Sequence, residues 1–136
     1  MNAEQIDVVI VGGGPAGASA AVFTARADLN TVVVDADKGI TRRAMLNNPF
    51  GFPDGIPGPE LVDRGRAHAE NAGATWVDDE AETIEHSDAG FVVRTAKGHA
   101  LETRQIILAT GMSVAAAEAA GVTIVEATEP RIKTIV

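Results

Sequence analysis

Gly12, Gly14 and Gly17, spaced as G-x-G-x-x-G, carry the clearest chemistry in the sequence. An apolar run, Ile6–Val11, leads into them and an alanine-rich stretch follows. A second apolar run, Val32–Val34, then ends in the acid Asp35. This order predicts a strand, a tight turn, a helix and a second strand, the unit that holds a dinucleotide. Gly12 supplies the backbone angles of the turn. Gly14 lets the main chain approach a pyrophosphate, and Gly17 lets the helix lie close to the strand. Gly13 and Ala16 complete the turn, and Pro15 suits a first helical position, where no N–H is needed. The N–H groups and positive end of the helix then face phosphates. Asp35, about 20 residues on, places a carboxylate where ribose hydroxyls donate to it and a 2′-phosphate is repelled. A glycine-rich turn in an ordinary α/β protein has the same spacing, as does a site that has lost its ligand.

The elements that must hold these residues are readable around them. The first helix is predicted over Pro15–Ala27, with Asp28 in the left-handed conformation at its end. Ala18 and Ala21 are small where close packing on the sheet is expected. The second strand is Thr31–Asp35, and Ala36, Asp37 and Arg43 beyond it join the predicted cofactor site. Arg42 and Arg43 read either as phosphate-facing or as solvated charges. Asn48–Pro59, NPFGFPDGIPGP, reads as a shaped loop with little regular structure. A second helix is predicted over Pro59–Ala72, with Glu60 at its positive end and Gly73 beyond it. Gly65 inside it costs about 1 kcal/mol relative to alanine, which a close packing contact would justify. Thr75–Val77 reads as a third strand, with Trp76 in the core or at an interface. Ala81–Glu85, Phe91–Thr95 and Ala100–Thr103 read as an antiparallel meander inserted between parallel strands. Gln105–Ala109 then reads as a separate buried parallel strand ending in Thr110–Gly111. Val114–Ala120 reads as a short helix, and Val122–Ala127 and Arg131–Val136 as strands.

Composition narrows the function. The 136 residues predict one domain with a modest core. No cysteine is present, which excludes from these residues a disulfide, a thiolate metal site, a redox dithiol and a cysteine nucleophile. His68, His86 and His99 lack ligand spacing and read as surface residues. A net charge of −8 argues against nucleic acid and anionic membranes as partners. Lys38, Lys97 and Lys133 are outnumbered by arginines. A halophilic origin and a nucleotide bias both account for that acidic, lysine-poor composition. No apolar run has the roughly 18 residues of a membrane span. No basic segment precedes an apolar block at the N-terminus, so the reading is a cytoplasmic protein.

Taken together, GGGPAG at Gly12–Gly17, Asp35, NPFGFP at Asn48–Pro53, GPEL at Gly58–Leu61 and ILATG at Ile107–Gly111 resemble one family. They resemble the FAD-binding domain of thioredoxin reductase-like flavoproteins, within the pyridine nucleotide–disulfide oxidoreductases. The resemblance covers Ile6 to Ser113. It implies a Rossmann-like α/β fold: a mainly parallel sheet, helices on one face and a three-stranded antiparallel meander on the other. It implies FAD as cofactor. Gly12–Gly17 would hold the pyrophosphate and Asp35 the adenosine ribose. Asn48 would lie beside the flavin ring and Ala81 near the adenine. Ala109, Thr110 and Gly111 would lie against the cofactor. The electron donor would be NAD(P)H or a ferredoxin-like protein.

The family's Cys-x-x-Cys, its NADPH-binding domain and its late Gly-Asp element have no match here. The expectation is therefore a single, apparently truncated FAD domain over residues 1–136, without dithiol chemistry of its own, in which the flavin carries any catalysis. The alternatives are a non-catalytic dinucleotide-binding module, a subunit completed by a homodimer mate or partner chain, and a plain NAD-binding domain.

Overall fold

Valine and isoleucine alternate between two buried faces of one sheet, and that alternation builds the domain. The structure is a computed structural model and describes residues 5–111. The expected helix at Val114–Ala120 and strands at Val122–Ala127 and Arg131–Val136 lie outside the described residues.

The strands are β1 (Ile6–Val11), β2 (Thr31–Asp35), β3 (Met45–Leu46), β4 (Ile56–Pro57), β5 (Thr75–Asp78), β6 (Ala81–Ser87), β7 (Gly90–Thr95) and β8 (Ala100–Leu108). The helices are α1 (Pro15–Arg26) and α2 (Gly58–Asn71). Six strands form one sheet in the order β5-β2-β1-β8-β7-β6, and β3 pairs with β4 apart from it. The first four are parallel to their neighbours: Val8 pairs with Thr31 on one side and Gln105 on the other, and Val32 pairs with Thr75. The β6-β7 and β7-β8 pairs are antiparallel.

Val8, Ile10 and Val33 point to the helix side, where they pack with Ala21, Val22 and Ala25 of α1 and Ala69 of α2. Val9, Val11, Val32 and Val34 point the other way and pack with Val93 of the meander. The expected three layers are therefore present: helices on one face, meander on the other. Ile10 is 0% exposed. Truncating a buried isoleucine to alanine removes its transfer energy and leaves a cavity. We expect Ile10→Ala to cost about 3 kcal/mol, checked by urea unfolding; a change below about 1 kcal/mol would show that the site collapses without penalty.

Several boundaries differ from the sequence reading. The meander's last strand and the final parallel strand are one continuous β8. Thr103 is the joint, pairing with Ile6 in parallel and with Phe91 in antiparallel fashion. Its buried hydroxyl hydrogen-bonds the Gln105 backbone, donating to the carbonyl at 3.0 Å and accepting from the N–H at 3.4 Å. Thr103 and Arg104 break the apolar pattern, which is why the sequence suggests two strands. The NPFGFPDGIPGP stretch holds more order than expected, because Ile56–Pro57 pairs with Met45–Leu46. Helix α2 begins at Gly58, one residue earlier than expected. A Cβ there would lie 1.7 Å from the Thr41 carbonyl oxygen, so only glycine fits where the helix meets the segment after β2.

Other expectations hold. Asp28 is left-handed, at φ 59°. The three histidines are exposed. Gly65 faces Ala18 across the helix pair, where a Cβ would sit 3.2 Å from the Ala18 methyl. Ala18 thus serves the contact with α2. No described helix is long and apolar enough to cross a membrane.

Candidate dinucleotide-binding site

Strand β1 lies between β2 and β8, the strands on either side being reached by different parts of the chain. Crevices at the carboxyl ends of such strands are where open α/β sheets bind ligands. Here that end is the glycine turn.

Each glycine in the turn meets a different constraint. Gly12 has φ 103°, and a Cβ on it would stand 2.2 Å from the Ala109 carbonyl oxygen. It is tied to β2 by its N–H, which donates to the Val34 carbonyl at 2.9 Å, while the Ala109 N–H donates to the Val11 carbonyl at 2.8 Å. Ala109 and Thr110 are therefore brought directly against the turn. Gly17 is buried in α1, and a Cβ there would lie 1.8 Å from the Gly12 carbonyl oxygen. Gly13, for which the sequence supplied no separate reason, is pressed by Trp76: a Cβ would meet a ring carbon at 2.2 Å and the Asp35 carboxyl carbon at 2.7 Å. Gly14 is the exception, with nothing within 4 Å of a Cβ. Open space lies in front of it.

The start of α1 is built to receive negative charge. Gly14 is its N-cap, without a side-chain hydrogen bond, and its first turn carries no acidic residue. Helix α2 instead has Glu60 in its first turn. Pro15 has no N–H, and the first helical hydrogen bond is Ala18 N–H to the Gly14 carbonyl at 2.9 Å. No partner among the described residues takes the N–H groups of Gly14, Ala16 or Gly17. Unpaired N–H groups at a positive helix end make an anion site. The turn thus fits a pyrophosphate.

Asp35 stands beside it at the end of β2. Its Oδ1 accepts the Gly13 N–H at 3.0 Å, leaving Oδ2 for a ligand. Next to it an open cleft of about 340 Å³ runs between Asp35–Lys38, Asp78–Glu80 and the Ala96–Lys97 turn. Ala36 and Asp37 line it. Its cations are engaged: Lys38 pairs with Glu80 at 2.5 Å, and Lys97 donates to the Asp78 carbonyl. The lining therefore favours hydroxyl and amine donors over further phosphate.

Behind Asp78, Arg66 makes two contacts to its carboxylate, at 2.6 and 3.2 Å, and stacks over Trp76 with 5.2 Å to the ring centre. The Arg66 hydrogen bond is the main reason the Asp78 carboxyl is held below the usual carboxylate range.

Other predicted residues stand apart. Arg42 is bound to Asp37 and to Asp63 of α2, the latter at 2.9 Å, so it ties the loop to the helix and leaves no charge for phosphate. Arg43 is exposed and forms no ion pair among the described residues. Asn48 is exposed and makes no hydrogen bond to the turn. Ala81 opens β6 and packs beneath the sheet; the cleft is lined by Asp79 and Glu80 just before it. Gly111 is left-handed at φ 75°. Asp79, which the sequence reading missed, is 4% exposed and touches the cleft. Only its place in the acidic run Asp78–Glu80 could have drawn attention to it.

Comparison with known proteins places this geometry. The family model described as pyridine nucleotide-disulphide oxidoreductase matches residues 6–135. The chain belongs to that family. Within it, the domain is thioredoxin reductase-like. It is 39% identical over 113 residues to NADPH-dependent thioredoxin reductase 3 of Arabidopsis thaliana, covering 77% of this chain and 21% of that protein. It is 38% identical over 109 residues to a thioredoxin reductase of Streptomyces coelicolor, covering 77% and 34%. Among solved structures, the atypical thioredoxin reductase of Desulfovibrio vulgaris Hildenborough superposes with a TM-score of 0.72 at 43% identity, over 80% of this chain and 37% of that one. The chain spans between about a fifth and a third of the length of these curated relatives.

Proposed function

We propose that this domain binds FAD across the carboxyl ends of β1, β2 and β8 and serves oxidoreductase-type electron transfer through the flavin. The observation that carries the reading is the unpaired set of N–H groups at Gly14, Ala16 and Gly17, opening beside the acid-lined cleft. When bound, FAD supplies the redox chemistry. The chain's residues bind and orient it. The turn Gly12–Gly17 grips the pyrophosphate. Asp35 accepts from ribose hydroxyls through Oδ2, its orientation fixed by the Gly13 N–H. Ala36 and Asp37 flank the adenosine half, Ala109–Gly111 close the other side, and Asn48 reaches the flavin ring. The carboxylates of the cleft disfavour a 2′-phosphate there.

The name of the Arabidopsis relative, NADPH-dependent, supports a nicotinamide as electron donor; a ferredoxin-like protein is the other donor class. Loss of the flavin's visible absorbance on adding NADPH, or only on adding reduced ferredoxin, separates them.

Trp76 is the chain's single tryptophan and its ring lies against Gly13. Its fluorescence should therefore respond when the turn is filled. We expect FAD to bind with one-to-one stoichiometry by calorimetry and to quench that emission. Protein that gives neither heat nor quenching with FAD ends the reading, and NAD binding in place of FAD would make this an NAD domain.

A further inference from the structure

The cleft beside Asp35 has three walls from distant parts of the chain: Asp35–Lys38 after β2, Asp78–Glu80 between β5 and β6, and Ala96–Lys97 between β7 and β8. One residue touches all three. The Asp79 N–H donates to the Asp35 carbonyl at 3.1 Å. Its Oδ1 accepts the Glu80 N–H at 2.8 Å, and its Oδ2 accepts the Lys97 N–H at 3.2 Å. Between the two turns there are also the Ala96 N–H to Glu80 carbonyl bond, at 2.9 Å, and the Lys97 ammonium on the Asp78 carbonyl, and of the three links only that of Asp79 comes from a buried side chain. The side chain is 2% exposed, so its charge faces protein donors. Burial opposes its ionisation, but the Thr95 hydroxyl and the Glu80 and Lys97 N–H groups outweigh it and hold the carboxyl below the usual range.

We propose that Asp79 is a positioning residue for the adenosine half of the ligand: its carboxylate straps the β5–β6 turn to the β7–β8 turn and so sets the width of the cleft facing Asp35. The inference rests on the FAD reading above. It separates two subsites. The glycine turn grips pyrophosphate without help from Asp79, whereas the adenosine contacts depend on where the strapped turns stand. Asparagine in place of Asp79 would keep one acceptor oxygen but turn an NH₂ either toward the Lys97 N–H, where the donor–donor conflict breaks the strap, or toward the Glu80 N–H, where it disturbs the β5–β6 turn that the strap holds.

The test measures binding of FAD, ADP and inorganic pyrophosphate to the whole chain by calorimetry, for the wild type, Asp79→Asn and Thr95→Val. Expected is a roughly tenfold weakening of FAD and ADP with Asp79→Asn, and about threefold with Thr95→Val, while pyrophosphate stays within about twofold. Should Asp79→Asn prove unfolded, the Thr95→Val pattern decides. ADP bound at wild-type affinity by both variants overturns the inference and leaves the FAD reading intact. ADP and pyrophosphate weakening together also overturns it, because Asp79 would then act through the fold alone. A wild type that binds neither FAD nor ADP overturns the FAD reading and this inference with it.

Discussion

Replacing Gly14 with valine should leave the ligand-free domain folded and reduce FAD affinity about 100-fold. Gly14 sits at φ −68° and ψ −171°, an extended conformation open to any residue. Nothing lies within 4 Å of where its Cβ would stand. The substitution therefore meets no steric cost in the empty protein. It fills the space in front of the unpaired N–H groups at the start of α1. Hydrogen bonds from N–H groups to a charged phosphate are each worth about 1.5–3 kcal/mol. Losing the close approach for one or two of them gives the expected factor. The measurement pairs a thermal melt without ligand with FAD titration. An unchanged Kd would mean that the pyrophosphate lies elsewhere; a large fall in the melting midpoint would mean that the open space is needed by the fold.

Gly17→Ala should do the reverse, damaging the protein before any ligand is added. The new Cβ would stand 1.8 Å from the Gly12 carbonyl oxygen and 3.4 Å from the Ala109 methyl. Backbone cannot yield as a flexible side-chain end can, so α1 must move away from the β1 turn. Overpacking of this kind costs about 1–3 kcal/mol and occasionally more. Alanine regains about 1 kcal/mol of helix propensity over glycine, so the clash must exceed that to prevail. A contact at 1.8 Å to a main-chain atom places it at the upper end, and we expect a net loss of about 2 kcal/mol or more. For a domain of this size the melting midpoint should fall by about 5–10 °C. A midpoint at or above the wild-type value would show that the helix can shift at no cost. The two variants together distinguish a glycine required by the ligand from one required by the fold.

These contrasts show how far the sequence could be read. Strands β1 and β2 and the body of α1 were legible because their signals are local: continuous apolar runs, a proline at the helix start and a residue at Asp28 that tolerates φ above zero. The helices on one face and the meander on the other followed from period and order. The joint at Thr103 was not legible, since polar residues at a change of strand partner look the same as a break between strands. Nor was Arg42, whose pairing with Asp37 and Asp63 depends on how the loop after β2 meets α2.

By itself the sequence determined that a glycine turn sits between a buried strand and a helix, with an acid at the end of the next strand. Turn angles, helix starts and strand periods depend on neighbours in the chain, so they are written in its order. Tertiary structure alone decided the division of labour within that turn. Gly13 answers to Trp76 and Asp35, Gly12 and Gly17 to backbone at Ala109 and Gly12, and Gly14 to open space. It also made Asp79 a strap between two turns. Those roles join residues far apart in sequence, and only the register of β5, β2, β1 and β8 and the fold-back of β7 bring them within bonding distance.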